Sequence, residues 1–186
     1  NKILQYERNP YMANPAWLEH ASFLVGSSAC YLSMRQLSRN IAHELVDSRG
    51  YTDIDTAWCQ SSGVVGGFFN SGISFYNYRG WIGMEGLSAA TVQGWTQGPR
   101  TPVATIFTCS TGDFVGGDDY TEAFLRGGNP TTPGAAVACM GYATASTHTR
   151  YNNVMAGGFY HAFLEQDVPE VGSCLAHSKY ELFMTL

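Results

Sequence analysis

Five short apolar runs set the terms on which this chain can fold. They are "ASFLVGS" (21–27), "DIDTAWC" (53–59), "GISFYNY" (72–78), "VATIFT" (103–108) and "GAAVACMGY" (134–142). Each has the length of a strand, and the stretches between them leave room for helices. "YLSMRQLSRNIAHELVDSRGY" (31–51) places Leu37, Ile41 and Leu45 on one helical face and stops at Gly50. "SGVVGGFFNSG" (62–72) reads as a short helix or turn weakened by its glycines, and another short helix is expected near 88–95. "DDYTEAFLRGG" (118–128) opens on Asp118 and Asp119 and closes on Gly127. "NNVMAGGFYHAFLEQ" (152–166) gathers Val154, Met155, Phe159, Ala162 and Phe163 on one side, and "CLAHSKYELFMTL" (174–186) is a last helix. Strands that alternate with helices pair in parallel through right-handed crossovers. The expectation is an α/β fold whose parallel sheet is covered on both faces.

At 186 residues the chain suits one domain with a proper core. Hydrophobic residues are 45% and charged ones 13%, which excludes intrinsic disorder. The net charge is −5 and the lysines are Lys2 and Lys179, so there is no basic stripe for a nucleic acid. No run approaches the ~18 apolar residues of a membrane span. The chain opens "NKILQYERNP", with neither an initiator Met nor a signal peptide, and is expected to be a piece of a longer chain. The five cysteines are widely spaced and lie in no cluster with histidines at ligand spacing, so neither a metal nor a cofactor is expected. An odd number also leaves at least one thiol outside any internal disulfide. Sparse lysine with abundant Asn, Gly and Tyr suits an exported bacterial protein.

In parallel sheets chemistry gathers beyond the carboxyl ends of the strands. There this sequence places Cys30, Cys59-Gln60-Ser61, Arg79-Gly80-Trp81, Cys109-Ser110-Thr111-Gly112 and a polar loop, 143–150, holding His148. His20, His43, His161 and His177 fall before a strand or within helices. Cys109 is the sharpest residue: a thiol at a strand end, before a turn of small residues, is exposed where backbone N–H groups converge on an oxyanion. The plainer alternative is a buried cysteine packing as a small hydrophobe. "GVVGG" (63–67) lacks the register of a dinucleotide-binding turn. Asp118 and Asp119 suit the positive end of a helix dipole without any bound cation. Arg79 either pairs with a carboxylate or lines a pocket.

Six segments bring a family into view. "QYERNP", "AWLEHASFLVGSS", "NSGISFYNYRGW", "CSTGDF", "DDYTEAFLR" and "GAAVACMGYATAST" follow one another in an order that resembles the catalytic subdomain of the gingipain-type cysteine peptidases. The most specific are Asn77-Tyr78-x-Gly80 and Cys109-x-x-Gly112-Asp113-Phe114. The resemblance covers nearly the whole chain and makes residues 1–186 a single peptidase subdomain. It implies a caspase/gingipain-like parallel-sheet sandwich with helices on both faces. It also implies a secreted or surface-bound bacterial endopeptidase in which a histidine after one strand activates a cysteine after the next. On that footing Cys109 is the nucleophile, and Gly80 and Cys109 supply the oxyanion N–H groups. Trp81, Arg79 and Ser110 flank a bound polypeptide.

One position departs from the family pattern. Where the family has Gly-His-Gly, this chain has Gly80-Trp81-Ile82. An indole N–H only donates, so Trp81 cannot take a proton from a thiol. Loss of a general base typically costs ~10²–10⁴ in rate. The remaining imidazole on this edge, His148, is the candidate substitute base. The loop after the first run, "SSACYLSMRQ" (27–36), also lacks the carboxylate that basic-residue-specific members carry there. Two functions stay open: a cysteine peptidase of reduced activity, and a catalytically inactive peptidase-like structural or binding module. The second would use Trp81, Tyr78 and Trp58 as an aromatic surface. A polypeptide, or the other domains of the longer chain, would be the partner.

Overall fold

In the computed structural model, which describes residues 2–186, the apolar runs become one five-stranded sheet. The strands are β1 (His20–Gly26), β2 (Asp53–Gln60), β3 (Phe75–Arg79), β4 (Val103–Ile106) and β5 (Ala138–Met140). They lie in the order β2-β1-β3-β4-β5, and every pairing is parallel. The helices are α1 (Lys2–Arg8), α2 (Leu32–Arg49), α3 (Val65–Ser71), α4 (Ala89–Gln93), α5 (Tyr120–Arg126), α6 (Thr149–Leu164) and α7 (Val171–Met184).

The two-residue period of the strands sorts their side chains into two cores. Ala21, Phe23, Phe75 and Val103 point to one face, where they meet Ile41 and Leu45 of α2 and Met155 and Phe159 of α6. Leu24, Tyr76, Tyr78, Ala104 and Ile106 point to the other, against Val65 and Phe69 of α3 and Ala123 and Phe124 of α5. Burial on both faces explains why these strands read as nearly continuous apolar runs. Helix α2 ends where expected: Gly50 takes a left-handed φ of 69° and its N–H reaches the carbonyls of Leu45 and Val46. The acidic start of α5 is a capping box, with Asp119 and Glu122 satisfying each other's backbone N–H groups.

Several elements depart from the sequence expectation. The run 134–142 forms a strand only over Ala138–Met140. Ala135 holds a positive φ of 53°, and the N–H groups of Ala136 and Val137 turn aside to Phe124 and Pro102. Helix α6 starts at Thr149, three residues before the apolar periodicity at 152. Helix α1 buries no side chain of its own, so no apolar stripe announces it. It is tethered by Lys2 Nζ, which donates to the carbonyls of Phe124, Gly127 and Gly134 at 2.7–3.0 Å. No helix among the described residues is long and apolar enough to cross a membrane.

Candidate active site

The site is built where β3 and β4 end side by side. Asn77 anchors β3 from below: its amide donates to Thr105 Oγ1 at 2.9 Å, and Tyr160 OH from α6 closes the buried cluster 2.9 Å from the same Thr105 oxygen. Tyr78 points to the opposite face, and its ring lies under the turn that follows. A Cβ on Gly80 would come within 2.3 Å of the Tyr78 hydroxyl, and one on Gly26 within 2.8 Å. Glycine is therefore required at 80 by close approach, which gives the Asn-Tyr-x-Gly segment its physical meaning. Past β3 the chain stays beside the end of β4: Ile82 pairs with Cys109, and Gly83 N–H donates to Cys109 O at 2.9 Å.

Cys109 is a free thiol, 6% exposed. Ser110 after it holds a positive φ of 49°, turning the backbone so that the N–H groups of Ser110, Thr111 and Gly112 face the loop after β5. Those groups are occupied, donating to the carbonyls of Thr144 and Tyr142 at 3.1 Å. The same loop brings Thr147 to the sulfur. Cys109 Sγ lies 2.7 Å from Thr147 Oγ1 and 3.4 Å from Thr147 O. Asn152 Nδ2, on the first turn of α6, donates to Thr147 Oγ1 at 3.0 Å. A pocket of about 180 Å³ opens over the sulfur, walled by Gly80, Trp81, Ile82, Thr147 and His148 among others. A larger cavity of about 580 Å³ at the opposite end of the strands is lined mainly by apolar residues such as Tyr6, Phe75 and Phe163 and holds no thiol or imidazole.

The residues singled out from sequence fall at different places around this pocket. Trp81 stands at its mouth, 56% exposed. His148 shares the pocket with Cys109, but as the N-cap of α6: its Nδ1 accepts the Arg150 N–H at 3.2 Å. Gly80 N–H is buried and donates to Thr108 Oγ1 at 2.8 Å. Ser110 lies beside the sulfur without lining the pocket. Arg79 is fully buried under the sheet end, donating to Phe107 O and, at 2.6 Å, to Asn153 Oδ1. It finds no carboxylate partner among the described residues, so of the two alternatives for Arg79 the structure takes neither. Burial lowers its pKa to about 10, while Tyr142, Cys109 and Tyr78 pull the other way, and it stays cationic at neutral pH.

The suggested aromatic surface is not there. Tyr78 is buried in the α3/α5 core, and Trp58 is half-buried with Arg39 stacked over its ring at 5.6 Å. Of the three, Trp81 alone is exposed, and Trp58 does not line the pocket over Cys109. Cys30 and Cys59, both on this edge, are joined in a disulfide, with Cα atoms 5.1 Å apart. The loop after β1 does gain a carboxylate, though from elsewhere in the chain. Glu85 Oε2 accepts the Ser28 N–H at 3.0 Å, and hydrogen bonds from Ser27 and Ser28 hold its pKa below the ordinary value. Thr147, Asn152 and Asn153 were not legible as site residues, because only the pairing of β5 with β4 brings their loop over Cys109. The nearest signal was His148, one residue away.

Residues 1–185 match the family model of peptidase family C25. No curated protein sequence matches the chain. Three solved structures share its fold. The crystal structure of the Arg-specific cysteine proteinase gingipain R superposes with a TM-score of 0.84 at 21% identity, over 99% of this chain and 46% of that one. A complex of Porphyromonas gingivalis RgpB pro- and mature domains gives 0.80 at 22%, over 97% and 46%. A structure described as a protease gives 0.70 at 19%, over 84% and 35%. The chain spans less than half the length of each of these structures.

Proposed function

From the premise that the chain belongs to peptidase family C25, we propose that it is a gingipain-like cysteine-peptidase domain that binds a polypeptide over Cys109 without hydrolysing it efficiently. The observation that carries this reading is the neighbour of the sulfur. Cys109 Sγ meets a threonine hydroxyl at 2.7 Å, where a peptidase would hold an imidazole. Trp81 stands in the position of the family's histidine and offers no basic nitrogen. The Gly80 N–H is engaged by Thr108, which removes one donor from an oxyanion hole. Loss of the base costs ~10²–10⁴ in rate, and loss of one oxyanion donor ~10²–10³.

The ligand is an extended peptide presenting an uncharged side chain. No carboxylate lines the pocket, whose walls include Trp81, Ile82 and Ala145. A buried Lys or Arg head would be left there without a partner. The domain is exported to the cell surface or beyond: the Cys30–Cys59 disulfide suits an oxidising compartment. Further domains of a longer chain are its natural neighbours.

A second reading, in which His148 replaces the missing base, draws on its place in the same pocket. Its cost is specific. In the neutral ring Nδ1 is the acceptor used to cap α6, so the proton sits on Nε2 and no basic nitrogen is free. Acting as a base would mean giving up the cap, a matter of ~1 kcal/mol.

The experiment is hydrolysis and retention of a mixed peptide library by the wild-type chain, Cys109→Ala and His148→Ala. The proposal expects peptides with apolar residues to be retained in preference to those with Arg or Lys, and no cleavage that depends on Cys109. Cleavage abolished by both substitutions would establish the His148 reading in its place.

A further inference from the structure

The chain of contacts behind Cys109 has a direction. Asn152 is buried and its amide NH₂ donates to Thr147 Oγ1 at 3.0 Å. A threonine hydroxyl has a single proton to give. With Asn152 filling one acceptor site on that oxygen, its proton and its second lone pair are left for the atom on its other side, Cys109 Sγ, 2.7 Å away. We propose that Thr147, oriented by Asn152, is a positioning residue that fixes the Cys109 sulfur beneath the pocket through the hydrogen bond between its hydroxyl and the sulfur. The inference rests on the reading of Cys109 as the sulfur over which the polypeptide binds, and adds to it the residues that hold that sulfur in place.

Three features bear on how the sulfur is held. The Thr147 carbonyl, 3.4 Å from the sulfur, accepts from the thiol and so holds it from a second side. The hydroxyl is closer, at 2.7 Å. Beneath both lies the Arg79 guanidinium, without a carboxylate partner among the described residues and fixed by Asn153. Adjacent asparagines at the start of α6 thus each hold one polar group at this end of the sheet, Asn152 the Thr147 hydroxyl and Asn153 the Arg79 guanidinium. This arrangement supports attack on an electrophile that carries its own leaving group. It supplies no acid to protonate an amine, which separates a reactive thiol from a working peptidase.

The test is the rate at which iodoacetamide alkylates Cys109 in the intact chain, read at each cysteine by peptide mass spectrometry. The sulfur displaces iodide, forming the S–C bond as the C–I bond breaks, and the thiol proton passes to water. Cys139 and Cys174 are internal references, since desolvation holds both thiols above their ordinary range. Thr147→Val should slow Cys109 about tenfold, with the reference rates unchanged. Thr147→Ser, which keeps the hydroxyl, should restore it to within about twofold. Asn152→Ala, which frees the hydroxyl to rotate, should fall between, and serves alone if the valine variant does not fold. A fast wild-type Cys109 that is unaffected or accelerated in Thr147→Val and Asn152→Ala overturns the proposal and leaves the reading of Cys109 intact. A wild-type Cys109 no faster than Cys174 overturns both.

Discussion

Gly80 and Trp81 are neighbours that answer to different demands. Gly80 is fixed by the fold, because the Tyr78 hydroxyl occupies the space of its missing Cβ and Tyr78 itself cannot retreat from the core. Gly80→Ala should therefore destabilise the domain by ~1–3 kcal/mol, seen as a fall in Tm of about 2–10 °C. Part of that loss should return in the Tyr78→Phe background, where the nearest atom is gone. Trp81 meets no such demand: it lies half-exposed at the pocket mouth, where an imidazole would fit equally well. Gly80 was thus readable from its strand-end position, and so was the place of Cys109 beside the pocket. Thr147 was not, since threonine in a polar loop carries no local signal and acquires its role only from the strand that places it.

At the scale of elements, period-two burial and helical spacing gave the sheet and α2, α5 and α6 because those elements bury one face against a neighbour. The failures lie where no apolar period marks the boundary. Helix α1 and the shortened β5 are decided by distant partners, three carbonyls for Lys2 and Phe124 and Pro102 for the segment before β5, while the early start of α6 is set locally by the His148 cap. The disulfide belongs to this scale as well. It ties the start of α2 to the end of edge strand β2 across 29 residues of sequence. A loop of that size implies ~3–4 kcal/mol of stabilisation through restriction of the unfolded chain. The double substitution Cys30→Ala/Cys59→Ala should lower the denaturant midpoint accordingly while leaving the alkylation rate of Cys109 within about twofold, because the disulfide and the thiol lie on different strands. A loss of Cys109 reactivity would mean that the two ends of the sheet edge are coupled.

For the molecule as a whole, the family's sheet is present, and the pocket at its strand ends holds a free thiol. The thiol has a hydroxyl and a buried cation for company, the imidazole in the pocket is capping a helix, and one backbone donor is satisfied within the fold. On the proposed reading, such a site receives a polypeptide and does not cut it efficiently. The most direct measurement is Cys109-dependent hydrolysis of a mixed peptide library by the wild-type chain beside Trp81→His/Ile82→Gly, which restores the Gly-His-Gly pattern. The account expects no Cys109-dependent cleavage from the wild type and cleavage from the double variant at least ~10² above that background. A wild type that already cleaves through Cys109 as fast as the double variant would contradict it.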